Sequence, residues 1–419
     1  MIRTRTNVVG RTAVGGLISM LAISLTACGA LGGASESNSS DGTVTVWQYY
    51  GDEQMPTGKP LYEALEAYDA QNDDVKVKIR FIPFEDFNRT LQQGAAAGEG
   101  PDVALINAFD TQQMAEAGVI EDISDQVEEW GEQDAYYPTS WETTQVGGKT
   151  YGIPHVADDY ALYYNKDVFE AAGVQPPKTW DEMESTAATL AKEVKYGLAV
   201  SGREGAEGAT GILLRQLAAG GDLKTFGDGT GAAALESFKR MVDNGGLSKG
   251  FLTWLEDDAK TQFAGGSAAM MINSATYVNI LRDEVPDLNW GVVPLPKDEV
   301  TKSFLSAENL TIGAGSGDPD AAWDLIAHLQ EQPVLEEYLP ARNKLPARDD
   351  VPKAVEDPIR KTFADQLENA WAPEGDVATH SNESLTAIQE ALQATISGSS
   401  SPADAATAAQ AKIDGALGS

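Results

Sequence analysis

The chain is poor in several residue types, and each scarcity removes a class of function. It has one cysteine in 419 residues, so no intrachain disulfide framework exists and stability must come from packed cores. It has three histidines, His155, His328 and His380, scattered without the spacing of a metal site. Basic residues number 30 against 64 acidic ones, a formal net charge of −34. A field of that sign opposes nucleic acid and anionic lipid surfaces alike. No stretch beyond the first thirty or so residues approaches a membrane span, and no internal repeat is present. No cofactor motif survives inspection. Gly148-Lys149-Thr150 ends like a phosphate loop, but position 143 is Thr where that loop needs Gly. Gly227–Gly231 is glycine-rich without a strand–turn–helix setting. Gly246-Leu247-Ser248-Lys249-Gly250 has nucleophile-elbow spacing, but it follows a helix stop at Gly245-Gly246 instead of a strand.

What is present begins at the N-terminus. Arg3, Arg5 and Arg11 precede an apolar run from Ala13 to Ala27, the anatomy of a secretory signal over residues 1–27. The run ends in Leu25-Thr26-Ala27-Cys28. This segment resembles the lipobox of bacterial lipoproteins, which implies that Cys28 carries a diacylglyceryl group as the first mature residue. Two acyl chains anchor stably where one does not. Residues 28–42, rich in Gly, Ser, Ala and Asn, are expected to form a tether reaching roughly 20 Å. The expected location is the outer face of a cytoplasmic membrane, tethered by lipid.

Beyond the tether, strand and helix patterns alternate, which predicts an α/β fold. Strands are expected at Thr43–Trp47, at Val75–Phe81, where Val75, Val77, Ile79 and Phe81 alternate with basic residues, and at Val103–Ile106, Tyr196–Val200, Met270–Ile272 and Leu310–Ile312. Helices are expected around Leu61–Tyr68 and Phe87–Leu91, from Thr179 to about Lys192 behind a capping box, and over Ala232–Asn244, Ala321–Leu329 and the last forty or so residues, with a break at Ser397–Ser401.

Motifs in register over nearly the whole remaining chain carry a resemblance. They are Gly98-Glu99-Gly100-Pro101-Asp102-Val103, Gly148-Lys149-Thr150-Tyr151-Gly152-Ile153-Pro154, Ala161–Phe169, Ala172-Gly173-Val174, Pro177–Met183, Phe263–Met270, Val293-Pro294-Leu295-Pro296 and Leu345-Pro346-Ala347-Arg348. Together they resemble the extracellular solute-binding proteins of ABC importers, in the sugar-binding class that includes maltose-binding protein. The resemblance implies two α/β lobes of the periplasmic-binding-protein type with a ligand cleft and a hinge. It divides the chain at 43–156 (first lobe), 157–304 (second lobe), 305–343 (return to the first) and 344–419 (second lobe, C-terminal helices). The crossings are expected near His155–Asp159, Ser303–Ala307 and Arg342–Ala347. It implies a monomeric carrier, without cofactor or metal, that captures a carbohydrate and delivers it to membrane permease subunits.

A sugar offers apolar C–H faces and a rim of hydroxyls, so its site needs aromatic rings with carboxylates, amides and guanidinium groups. Candidates stand where strands end. Trp47, Gln48, Tyr49 and Tyr50 leave the first strand, as cleft wall or core. Asn107 and Asp110 follow the third, in the cleft or a solvated loop. Asp158 and Asp159 sit at the first crossing, reading ligand hydroxyls or bonding within the hinge. Trp254, Asn273 and Tyr277 belong to the second lobe, and Glu308 and Asn309 follow the second crossing. Trp371 lies in a Pro/Gly loop. Arg342 and Arg348 are candidates to clamp a hydroxyl pair, Arg348 alternatively to staple the fold. Two features depart from the family pattern: Ser306-Ala307-Glu308-Asn309 stands where a Gly-Gly pair is common, and Asn273–Tyr277 where Gly-x-Trp is usual. The alternatives are a secreted carbohydrate-active hydrolase, since acidic pairs abound, and a binding protein for a glycerol phosphate ester.

Overall fold

In a computed structural model, which describes residues 42–418, the strands gather into two main sheets and a hairpin. In chain order the strands are β1 (Thr43–Gln48), β2 (Lys76–Phe81), β3 (Val103–Asn107), β4 (Gln145–Val146), β5 (Lys149–Thr150), β6 (Ile153–Asp158), β7 (Tyr160–Asn165), β8 (Tyr196–Ala199), β9 (Ala268–Ser274), β10 (Trp290–Val293) and β11 (Ser306–Ile312). The first sheet runs β2-β1-β3-β11-β6 and the second β10-β7-β9-β8, which makes a two-lobed α/β fold. The signal, Cys28 and nearly all of the tether lie outside the described residues.

In the first sheet β1 pairs in parallel with β2 and β3, while β11 runs antiparallel to β3 and β6. Val44 and Val46 face the core, and Val44↔Val77 and Val46↔Ile79 set the register. The helix Phe84–Ala97 covers Trp47 closely: a Cβ on Gly94 would stand 2.8 Å from the indole ring. β4 and β5 close through Gly147-Gly148 at φ 59° and 80°, the left-handed pair a tight hairpin turn demands.

In the second sheet β7 is antiparallel to β9 and β10, and β8 is parallel to β9. Helices Trp180–Leu190, Thr210–Ala218, Thr230–Asp243, Ser381–Ser397 and Pro402–Leu417 build that lobe's core around Trp180, Phe238 and Phe251. Thr179 caps its helix by accepting from the Glu182 amide, but Glu182 reaches back to the amide of Lys178 and not to that of Thr179, so the expected box is displaced by one residue. The break between the last two helices falls at Gly398, φ 81°, and Ser401, whose hydroxyl caps the final helix.

Three segments join the lobes. At the first, only Asp159 separates β6 from β7. The second connects β10 to β11. The third leaves the helix Gln332–Arg342 and ends in the helix Pro358–Leu367, which lies against β7 and β10. Ala157 and Asp158 pair with β11, so the first sheet runs past the expected boundary at 156. Leu345 pairs with Ala157 and Arg348 with Tyr136, so the chain also remains on the first lobe beyond 343. The cause in both places is main-chain pairing, which continues until Asp158 on one segment and Asp349, whose amide donates to Ala135, on the other.

Candidate functional site

The first and third crossings meet at Asp158. Its Oδ1 accepts from the amides of Asp159 and Ala275, both at 2.9 Å. Its Oδ2 accepts from the Thr276 hydroxyl at 2.7 Å and from Lys344 Nζ at 3.2 Å. Lys344 Nζ also stands 3.7 Å from Glu308 Oε1, so a buried lysine of the third segment joins the end of β6 to β11. Burial pulls the lysine pKa down, but Glu308 and Asp158 outweigh it and hold the ammonium above its usual range.

Asp159 is the opposite case. It is fully buried, and among the described residues its carboxylate oxygens have no well-formed hydrogen bond, only the nearby Ser303 hydroxyl, which lowers its pKa in part. Burial first, and the Asp158 charge second, push its pKa well up. The protonated form is therefore favoured in the folded chain. A free aspartate ionises near about 3.9, so this contribution is complete below that pH and is lost as pH rises toward the folded value. Asp159→Asn, which keeps shape and neutrality, is expected to raise stability by about 1–3 kcal/mol at neutral to alkaline pH. Urea midpoints measured across pH should converge in acid; parallel curves at all pH values would contradict this account.

An aromatic stack spans the junction. Phe109, after β3, stacks on Phe304 of the second crossing at 5.4 Å and 19°, and Phe304 lies near parallel to Tyr160 at 6.3 Å and 11°. Trp371 leans on Phe304 at 5.9 Å and is bridged to it through the backbone. The Tyr160 hydroxyl donates to Glu256 at 2.8 Å, and the Glu256 amide donates to Glu207, also at 2.8 Å. Burial and then Glu207 raise the Glu256 pKa to about 8. The phenol of Tyr277 is raised as well, by burial and by Glu256.

On the first lobe Tyr49 and Tyr50 meet edge to face at 5.5 Å, and the Arg342 guanidinium lies 3.7 Å from the Tyr50 ring centre. Glu308 is buried beside them. Asp110 is nearly buried, which raises its pKa. A cavity of about 60 Å³ lies between Phe109, Gln112 and Glu142 on one side and Pro373, Glu374 and Gly375 on the other. A larger one, about 380 Å³, lies away from the crossings, between helices Lys59–Gln71 and Gln332–Arg342.

The remaining candidates are engaged elsewhere. Trp47 is packed under Phe84–Ala97 with Arg80 over its ring at 4.3 Å. Gln48 closes the turn Tyr49–Gly51 on itself. Asn107 caps the turn at Phe109, Asn309 donates to Thr111 and Thr143, and Asn273 holds the Glu256 carbonyl. Trp254 packs edge-on to Tyr196. Arg348 pairs with Glu132 and Asp350 and lies over Tyr136. Phe109, Tyr160, Glu207, Glu256, Phe304, Tyr338 and Lys344 belong to the junction but were not among the candidates. Tyr160 directly follows the candidate Asp159, and Phe304 falls within the expected crossing Ser303–Ala307. A lone lysine or glutamate carries no sequence signal. Ser248 accepts from the Gly250 amide and follows a helix that ends at Asp243, so it has no elbow geometry.

Two α/β lobes on crossing segments, with aromatic and polar side chains gathered between them, define a two-lobed binding protein. Residues 52–334 match the family model described as bacterial extracellular solute-binding protein, and the chain belongs to that family. It is 26% identical over 314 residues to a putative binding protein of Brucella abortus (strain 2308), covering 71% of this chain and 73% of that one. It is 24% identical over 411 residues to the galactooligosaccharide-binding protein of Bacillus subtilis (strain 168), covering 93% of each. Among solved structures, the GacH receptor of Streptomyces glaucescens GLA.O superposes with a TM-score of 0.79 at 23% identity, over 90% of this chain and 99% of that one. These relatives and neighbours are binding proteins or receptors by name.

Proposed function

We propose that the chain is the lipid-anchored substrate-binding protein of an ABC importer, which captures a carbohydrate between its lobes and presents it to membrane permease subunits. The observation that carries this reading is that the lobe junction holds an aromatic stack, and the first lobe beside it holds Arg342 over the Tyr50 ring with Glu308 buried nearby. Flat rings suit sugar C–H faces, and charged hydrogen-bonding groups suit its hydroxyls. The names of relatives point the same way: a galactooligosaccharide-binding protein, and a maltotriose-binding protein of Pyrococcus abyssi 24% identical over 361 residues. In this reading Cys28 is the lipidated residue, the protein acts as a monomer without cofactor, and no bond is made or broken. Tyr49, Tyr50, Asp110, Tyr277, Glu308, Arg342 and Trp371 line the cleft. Gln48, Asn107, Asp158, Asn273, Asn309 and Arg348 hold its frame. The lobes divide at Asp159, between β10 and β11, and in the segment after Asp349.

An sn-glycerol-3-phosphate-binding relative, 27% identical over 297 residues, makes that ester the informative competitor. A thermal-shift screen of the purified protein with mono-, di- and trisaccharides and glycerol 3-phosphate decides between them. A ligand at a hundredfold excess over its Kd adds about 2.7 kcal/mol. A shift from an unconsumed sugar is expected. Consumption of the sugar would mean a hydrolase, and a shift from the ester alone would move the protein to the other class of solute.

A further inference from the structure

The cavity of about 380 Å³ between the helices Lys59–Gln71 and Gln332–Arg342 stands apart from the crossings and has no part in the sugar site. The first of these helices runs 13 residues, about 20 Å at 1.5 Å per residue, so the space is a groove about three to four helical turns long. Ala64 and Ala67 line it from one helix, Val334 and Ala341 from the other, and buried Tyr338 borders it. Short side chains on both walls leave room that larger apolar side chains of a partner helix can fill.

The rim states what kind of partner. Glu63, Glu331 and Glu337 line the groove and stand exposed, and among the described residues no lysine or arginine lines it. Lys59 meets Glu63, and His328 Nδ1 lies 3.3 Å from Glu331, but pairs with exposed carboxylates hold little energy. Glu337 has no ion pair among the described residues. An apolar floor inside an acidic rim fits an amphipathic helix with a basic border. It does not fit anionic lipid or a second copy of this chain, since a net charge of −34 repels both. Nor does it fit a small polar solute, which needs enclosing, hydrogen-bonding walls in place of exposed carboxylates.

One wall of the groove is fastened to the hinge. The helix Gln332–Arg342 runs into the third crossing, and its Pro340 carbonyl accepts from Asn279 Nδ2 at 3.3 Å, in the second lobe's helix Tyr277–Glu284. The Tyr338 ring of the same helix lies 4.8 Å from the His155 ring of β6, the strand that leads into Asp159. A partner seated in the groove therefore rests on a helix that both lobes hold, which suits a permease that must tell one lobe arrangement from another. We propose that this groove is the first lobe's docking site for a basic amphipathic segment of a permease subunit. The inference rests on the importer reading above and adds to it the surface and the chemistry of the partner.

Two measurements test it on the full-length chain in the cells that make it. In the first, p-benzoylphenylalanine takes the place of Ala67, or of Lys239 on the second-lobe helix Thr230–Asp243 as a control, and the adducts formed on irradiation are sequenced by mass spectrometry. The expected adduct, from Ala67 and not from Lys239, is a permease segment rich in Lys or Arg beside Leu or Val. In the second, the double variant Glu63→Lys/Glu337→Lys and the single variant Ala67→Trp are purified and titrated with maltotriose, glucose and galactose, and uptake of whichever sugar binds is followed in cells. Uptake is expected to fall about tenfold or more, while sugar affinity and melting temperature stay at the wild-type values. Adducts only with a second copy of the chain or with lipid, or no adduct at all, would overturn the docking site. Undiminished uptake in both variants would overturn it too, leaving the importer reading intact. Sugar affinity lost in step with uptake would place the effect in the cleft and also overturn it. A chain that binds no sugar yet forms the permease adduct would remove the carbohydrate reading and leave the docking site supported.

Discussion

Asp158→Ala is expected to lower the folding free energy by about 3–5 kcal/mol, the scale on which breaking a buried, hydrogen-bonded charge pair from one side acts. Four donors lose their acceptor at once: two amides, the Thr276 hydroxyl and Lys344. Ala275 and Thr276 lie just after β9 of the second lobe, whereas Asp158 ends a strand of the first, so the loss falls on the joint itself. Lys344 is then left buried against Glu308 alone. Lys344→Met in the same chain should recover part of the deficit, because it removes the stranded ammonium. Urea unfolding of the single and double variants measures both effects. If Asp158→Ala loses less than about 1 kcal/mol, the hub is not what holds the crossings together.

The second large effect is expected at Phe304. Its ring is buried among Phe109, Tyr160 and Trp371, so Phe304→Ala should cost about 3–5 kcal/mol from lost transfer energy and the cavity left behind. The ring comes from a crossing segment but touches rings of both lobes, so the damage should extend to shape. Small-angle scattering of the unliganded variant should show a larger radius of gyration than the wild type. An unchanged radius would assign the lobe contact to the helix Asp376–Thr379, which meets the turn Ala108–Asp110 and the helix Thr111–Glu116.

The elements that declared themselves in the sequence have one-dimensional signatures. The alternation Val75, Val77, Ile79, Phe81 corresponds to β2, Thr179 marks the start of its helix, and Gly398 with Ser401 separates the last two. The helix Gln332–Arg342 carries no such mark, since Pro333 and Pro340 read as breakers; Pro333 sits in the first turn, where a missing amide is harmless, and Pro340 within the last turn. The site was legible only in part, for a related reason. Asp158 and Asp159 are adjacent and identical in type, and the sequence marks both as hard to bury. One has four well-formed hydrogen bonds and the other has none, a difference made by Ala275, Thr276 and Lys344, each more than a hundred residues away in sequence. Phe109 and Phe304 read as ordinary loop aromatics until the fold stacks them.

The lone residue between β6 and β7 has a mechanical consequence. A strand of one sheet becomes a strand of the other without slack, so the two lobes cannot slide past one another along this path; they can only swing about it. Asp159 is the pivot pin of that swing, and its neighbours on both sides are locked by sheet hydrogen bonds. The longer segments between β10 and β11 and between the helices Gln332–Arg342 and Pro358–Leu367 behave as straps, which limit the arc without setting its axis. An inserted residue would be absorbed in either strap, whereas beside Asp159 it would reverse the inward and outward faces of whichever strand it joined.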